Sequence, residues 1–189
     1  KAGGKVLIFT MEMEKEEVLA RLLANIANVK ISVALTGHQI TAGDIKKIQR
    51  AAEVMKQADI VIYDKGDQSI NWIEAKAMSQ NDKGQIDAIA LDYWQLIESP
   101  EHKEELKRLN YTSRRLKTLA KVVKTPVITG SQLNDDLKTK DSKAMIADCN
   151  ILVRIVVGKS PGLVVDKSRN SRRGQFIPIG FNGDNQRFE

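Results

Sequence analysis

Short apolar runs alternating with longer stretches of helical periodicity constrain this chain more than any other feature. Residues 6–9, 60–63, 88–91 and 127–129 are too short for buried helices and lack apolar–polar alternation, the pattern of strands covered on both faces. Between them, Val18, Leu19, Leu22, Leu23, Ile26 and Ala27 fall on one face of a helix over residues 14–27. Its Glu14, Glu16 and Glu17 suit the positive end of the helix dipole. Thr41 and Asp44 form a start like a capping box, Asp standing for Glu or Gln, ahead of Ile45, Ile48, Ala52 and Met55. A shorter helix opens near Ser69. Ser99-Pro100 reads as N-cap and first residue of a helix of about 24 residues, which Thr125-Pro126 ends. Residues 151–157, 163–165 and 176–181 then read as strands with few residues between them, hence antiparallel.

This order predicts an α/β fold, a mainly parallel sheet flanked by helices with a C-terminal antiparallel hairpin. Residues 1–189 read as one domain, without repeat, low-complexity tract or linker. An apolar fraction of 42% excludes a disordered chain, and no apolar run approaches the roughly 20 residues needed to span a bilayer. The apolar stretch near the start is too short for a signal peptide. The single cysteine, Cys149, excludes an internal disulfide and a Cys-rich zinc site and suits a reducing compartment. His38 and His102 lack metal-ligand spacing, and Trp72 and Trp94 read as core residues.

The net charge of +6 is unevenly placed. Residues 101–124 carry eight basic and three acidic side chains, and residues 167–173 carry four cations. From charge alone both stretches read as a solvated helix face and a loop, with a polyanion partner as the alternative. In open α/β sheets ligands bind beyond the carboxyl ends of the strands. The residues there are Thr10-Met11-Glu12, Asp92-Tyr93 and Ser131-Gln132. A lone acid after a strand serves as often to cap a helix, but three polar groups so arranged point to a site. No GxGxxG follows a strand, which disfavours a dinucleotide site.

Read together, these segments resemble the RecA-like ATPase domain of the DnaB-family replicative helicases, bacterial and phage. VLIFTMEM, residues 6–13, with Arg21 nine residues after Glu12, resembles the motif whose Glu is the family's catalytic base and whose Arg lies beside the nucleotide. IDAIALDYWQLIES, residues 86–99, resembles the Walker B strand, with Asp92 as its acid. In RRLKTLAKVVKTPVITGSQLN, residues 114–134, Gln132 falls on the sensor glutamine. DDLKTKDSKAMIAD, residues 135–148, is similar to the DNA-contacting loop. DKSRNSRRG and NQRFE are similar to the closing hairpin, where Lys167 and Arg169 match a Lys-x-Arg pair reaching a neighbouring subunit's ATP.

The resemblance spans nearly the whole chain and implies the motor domain of an ATP-dependent 5′-to-3′ helicase moving on single-stranded DNA during replication. It implies ATP and Mg²⁺ as cofactors, with Glu12, Gln132, Lys167 and Arg169 catalytic, Arg21 and Asp92 on the nucleotide, and Asp92 holding Mg²⁺ through water. Lys138, Thr139 and Lys140 would contact DNA. The implied partners are a homo-hexamer, a helicase loader and primase in the cytoplasm of a bacterial cell or phage-infected host, with no membrane.

The chain also departs from the family's pattern. No GxxxxGK[ST] loop is present, and Gly3-Gly4-Lys5 runs directly into a strand. The Walker A strand and loop and the N-terminal helical domain are therefore expected to be absent, leaving the strand at 127–129 without its neighbour. Such a chain is part of a longer helicase and inactive alone, or a non-catalytic DNA- or helicase-binding module that has lost nucleotide binding. A RecA-fold hexamer of recombination or clock type is a third alternative, against which the basic loop and the Lys-x-Arg hairpin argue. Lys138, Thr139, Lys140 and Asp141 replace the family's Arg-Glu-Ser-Gly, and Ser171-Arg172-Arg173 replaces its Asn-Gly-Pro.

Overall fold

The computed structural model describes residues 4–64, 68–132, 143–170 and 172–188. In chain order the elements are β1 (Lys5–Thr10), α1 (Lys15–Ala27), α2 (Ile31–Thr36), α3 (Ala42–Lys56), β2 (Asp59–Tyr63), α4 (Ile70–Asp82) and β3 (Ala88–Asp92). One 3-10 turn, Trp94–Leu96, leads to α5 (Glu105–Val122) and β4 (Val127–Thr129). Then come α6 (Lys143–Asp148), β5 (Ile151–Val156), β6 (Gly162–Ser168), β7 (Phe176–Pro178), β8 (Phe181–Asn182) and β9 (Arg187–Phe188). Among the described residues no helix is long and apolar enough to cross a membrane. The chain forms two compact units, Lys1–Lys15 with Gln57–Asp148, and Glu16–Lys56 with Cys149–Glu189.

The first unit is built on a four-stranded parallel sheet in the order β2-β1-β3-β4. Leu7 and Phe9 on β1 and Ile89 and Leu91 on β3 are sealed from solvent. They pack with Ile70, Ile73 and Ala77 of α4 and Leu109, Leu116 and Leu119 of α5. Each fully buried side chain of this size contributes about 2 kcal/mol, so burial along these helices holds the layers together. Trp94 is buried in the same core and Trp72 packs against it, as their sequence setting predicts. A partly buried ion pair ties the two helices, with Arg115 of α5 bonded to the buried Glu74 carboxylate of α4 and to the Tyr111 hydroxyl. Ser69 caps α4 by accepting the Trp72 amide proton at 3.3 Å.

Helix α5 does not begin at Ser99-Pro100 as the local signal predicts. Glu98 bridges to Ser69 in parallel fashion and its carbonyl accepts the Ile70 amide at 3.0 Å, holding the chain extended. Ser99 then closes a turn onto His102, and the helix starts at Glu105 after an N-cap, Glu104, that makes no side-chain capping bond. A tertiary bridge has overridden a local cap. The far end behaves as expected: Lys124 turns left-handed with φ 54°, and the Thr125 hydroxyl donates to Ile86 O at 2.7 Å.

In the second unit, Thr41 and Asp44 form the reciprocal cap predicted for α3. The Asp44 amide donates to Thr41 Oγ1 at 3.1 Å, and the Thr41 amide donates to Asp44 Oδ2 at 3.1 Å. These bonds, the Thr41 hydroxyl's foremost, hold the Asp44 carboxyl below its ordinary range. Ala24 and Ala27 of α1 pack with Val29 and with Ala51 of α3. Strands β5, β6 and β7 form an antiparallel sheet. The single strand predicted for residues 176–181 is two strands, β7 and β8. β8 instead pairs with β9. A Cβ added at Gly162 would lie 2.5 Å from the Phe176 ring, so only glycine fits where β6 meets β7.

Two outcomes follow. Arg115→Met leaves the Glu74 charge buried without its partner and costs about 3 kcal/mol in urea unfolding, and adding Glu74→Leu recovers much of that loss. Arg154 bonds Asp166 at 2.8 and 3.0 Å across β5 and β6, holding the Asp166 carboxyl below its ordinary value of 3.8. A depressed folded value means the pair stabilises fully above pH 3.8 and stops doing so as pH falls through that folded value. Acid unfolding followed by circular dichroism then shows wild type above Asp166→Asn at neutral pH, the two curves converging at the acid end.

Candidate functional site

Register decides which polar groups meet at the carboxyl edge of the parallel sheet. Thr10 pairs with Asp92, Phe9 with Tyr63, and Leu91 with Thr129. The segments carrying Asp64, Glu12, Asp92 and Gln132 therefore leave the sheet side by side in strand order. Sealed from solvent, Thr10 shapes the β1 exit: its Oγ1 accepts the Met13 amide and donates to Met13 O, both at 3.0 Å. The Met11 amide extends the ladder to Asp92 O at 3.0 Å, and Glu12 projects exposed beyond it. On the neighbouring strand, Asp64 accepts the Lys15 amide at 2.9 Å. Gln68 donates to Thr10 O at 3.2 Å, bracing the same exit.

Asp92 is half-buried, and the Asp92–Tyr93 peptide is cis. Beyond it the Trp94 amide donates to Thr129 Oγ1 at 3.1 Å, and that hydroxyl donates to Leu91 O at 3.0 Å. Gln95 holds the Gln132 backbone from both sides, accepting its amide proton at 3.0 Å and donating to its carbonyl at 3.4 Å. Arg108 of α5 in turn donates to Gln95 O at 2.8 Å and Ile97 O at 2.6 Å. The Gln132 main chain is fixed while the residue stays exposed.

The edge thus carries an exposed carboxylate, a half-buried carboxylate and an exposed amide on three adjacent strands. Among the described residues no three His, Cys, Asp or Glu side chains converge on a metal position. That donor set does not cage a cation by itself. It fits Mg²⁺, which takes one or two carboxylates and completes its shell with water and phosphate oxygen.

Arg21, Lys167 and Arg169 lie in the other unit. Arg21 donates to Glu17 Oε1 at 2.7 Å and to Gln186 Oε1 at 2.7 Å. Lys167 stands opposite Leu152 on β6, and Arg169 is exposed just past that strand's end. Buried Ser168 separates them. Lys138, Thr139 and Lys140 fall outside the described residues. Asp64, Gln68, Gln95 and Arg108 belong to the site's framework, and sequence reading missed them; a polar residue directly after β2 was the one available signal, for Asp64.

Residues 1–150 match the family described as DnaB-like helicase C terminal domain. The replicative DNA helicase DnaB of Mycobacterium leprae is 32% identical over 144 residues, which is 75% of this chain and 24% of that protein. That of Haemophilus influenzae is 26% identical over 208 residues, covering 97% of this chain and 44% of that protein. The chain thus spans less than half the length of these relatives. One solved ATPase domain superposes with a TM-score of 0.89 at 20% identity over 98% of this chain and 74% of that one. A DnaB-like replicative helicase solved for its interactions with primase gives 0.88 at 20% identity, over 98% of this chain and 51% of that one. The fold is RecA-like, as the sequence predicted.

Gln95→Ala removes both bonds to the Gln132 backbone while leaving the sheet intact. Hydrogen exchange at the Gln132 amide is then at least tenfold faster than in wild type, with the β1 and β3 amides unchanged.

Proposed function

Because the chain belongs to the DnaB-like helicase C-terminal domain family, we propose that it forms the main part of an ATP-driven DNA helicase motor. The motor acts in replication, in the cytoplasm of a bacterial cell or phage-infected host. The observation that carries this reading is the register placing Glu12, Asp92 and Gln132 on consecutive strand exits of one sheet edge.

Mg-ATP, when bound, supplies the phosphoanhydride bond and a cation that neutralises phosphate charge. Glu12, exposed and acceptor-only when ionised, orients water and takes its proton. Asp92 would hold the cation that neutralises phosphate charge. Gln132 donates its side-chain amide to a phosphate oxygen, while its backbone, gripped by Gln95, keeps that amide from drifting. Arg21 serves as a nucleotide-binding cation. Lys167 and Arg169 present positive charge to a neighbour's nucleotide, a contribution worth about a thousandfold or more where such fingers act. That role requires a ring of like subunits, here a homo-hexamer. Lys138, Thr139 and Lys140 contact the backbone of single-stranded DNA, along which the motor moves 5′ to 3′. Primase and a helicase loader are its further partners.

The test uses the natural gene product. Glu12→Ala and Arg169→Ala each retain Mg-ATP binding and lower turnover at least a hundredfold. Near-normal hydrolysis in both variants overturns the assignment. Failure of the gene product to bind Mg-ATP at all favours instead the non-catalytic DNA- or helicase-binding module.

A further inference from the structure

The turn between β8 and β9 follows one face of α1 and the residues just past its end. Arg21, Asn25 and Asn28 stand four and three residues apart, the spacing of a single helical face. Each meets the turn. Arg21 Nη1 donates to Gln186 Oε1 at 2.7 Å, Asn25 Nδ2 donates to Gln186 O at 2.7 Å, and Asn28 Oδ1 accepts from Asn185 Nδ2. The Ile31 amide then donates to Asp184 O at 2.6 Å.

Gln186 is the residue of this turn that reaches a charged group within α1. Its backbone is left-handed, with φ 54°, a conformation that glycine adopts at less cost. Its side-chain amide is held at both ends, Nε2 donating to Gly183 O at 2.7 Å and Oε1 accepting from Arg21. A glutamine thus stands where the backbone alone favours glycine, and the side chain adds a fixed acceptor for Arg21.

Arg21 has little else to orient it. It meets Glu17 Oε1 through Nε at 3.2 Å and Nη2 at 2.7 Å, but both side chains are more than a third exposed, and such pairs hold weakly. Gln186 takes the nitrogen that Glu17 does not reach. Among the described residues three of the five guanidinium N–H groups are then bonded, which leaves one on each terminal nitrogen for an anion. Because the glutamine amide is neutral, it fixes the guanidinium without cancelling its charge.

We propose that Gln186 is a positioning residue for Arg21: from the β8–β9 turn it sets the guanidinium so that the two remaining N–H groups meet oxygens of the nucleotide. Nucleotide affinity then depends on a side chain 165 residues away in sequence. This rests on the reading of Arg21 as a nucleotide-binding cation.

The test uses the natural gene product. Gln186→Gly removes the side chain, suits φ 54° and keeps the main-chain carbonyl that Asn25 needs. It raises the KM for Mg-ATP at least fivefold with kcat within twofold, the pattern of lost binding rather than lost chemistry. Arg21→Ala raises KM at least as much, and the double variant matches Arg21→Ala within twofold, because Gln186 acts through Arg21 alone. A KM raised by Arg21→Ala but unmoved by Gln186→Gly overturns the proposal by itself, as does a double variant in which the two effects multiply. A gene product that does not bind Mg-ATP, or Arg21→Ala with a wild-type KM, overturns the nucleotide role of Arg21 and the proposal with it. Phenylglyoxal labelling without nucleotide, read at Arg21 by peptide mass spectrometry, is independent of hydrolysis. Its rate is at least fivefold faster in Gln186→Gly, while exposed Arg50 on α3 is unchanged. Equal rates at Arg21 also overturn the proposal. A turn that served stability alone would lower the melting temperature of Gln186→Gly and leave KM as in wild type.

Discussion

The parallel ladder between β1 and β3 places Leu7 and Phe9 level with Ile89 and Leu91, and in the same step brings Thr10 level with Asp92. Side chains alternate along each strand, so sealing one set against α4 and α5 determines where every polar residue beyond the strands emerges. The site edge is in this sense a by-product of core packing. Hydrophobic burial selects the register, and the register aligns groups that contribute nothing to the core.

Much of this was readable because it depends on near neighbours in the chain. The apolar runs announced the four parallel strands, and Thr41 with Asp44 announced α3 through a bond spanning three residues. Asp92 could be placed because it directly ends a strand. What could not be read depends on distant partners. Ser99-Pro100 carries a sound local helix start, yet the bridge from Glu98 to Ser69 holds that segment extended. Gln95 and Arg108 look like ordinary polar residues of a turn and a helix. Their roles appear only when folding brings Gln132, 37 residues away from Gln95, into contact. The short helices α2 and α6 have too few residues for a periodic signal.

The two units use charge differently. In the first, Arg115 and Arg108 are spent as internal ties, while Lys107, Arg114 and Lys121 of α5 are exposed. In the second, Arg154 meets Asp166 across a strand pair, and Arg21 is shared between Glu17 and Gln186. A net charge of +6 conceals this division, which shows only when each cation is matched to its partner.

The grip of Arg108 on the carbonyls of Gln95 and Ile97 has a mechanical side. The first turns of α5 cannot slide along the helix axis without either breaking two charge-assisted bonds or dragging the turn that clasps Gln132. The start of α5 and the Gln132 main chain at the sheet edge are therefore joined through one turn, that of Gln95.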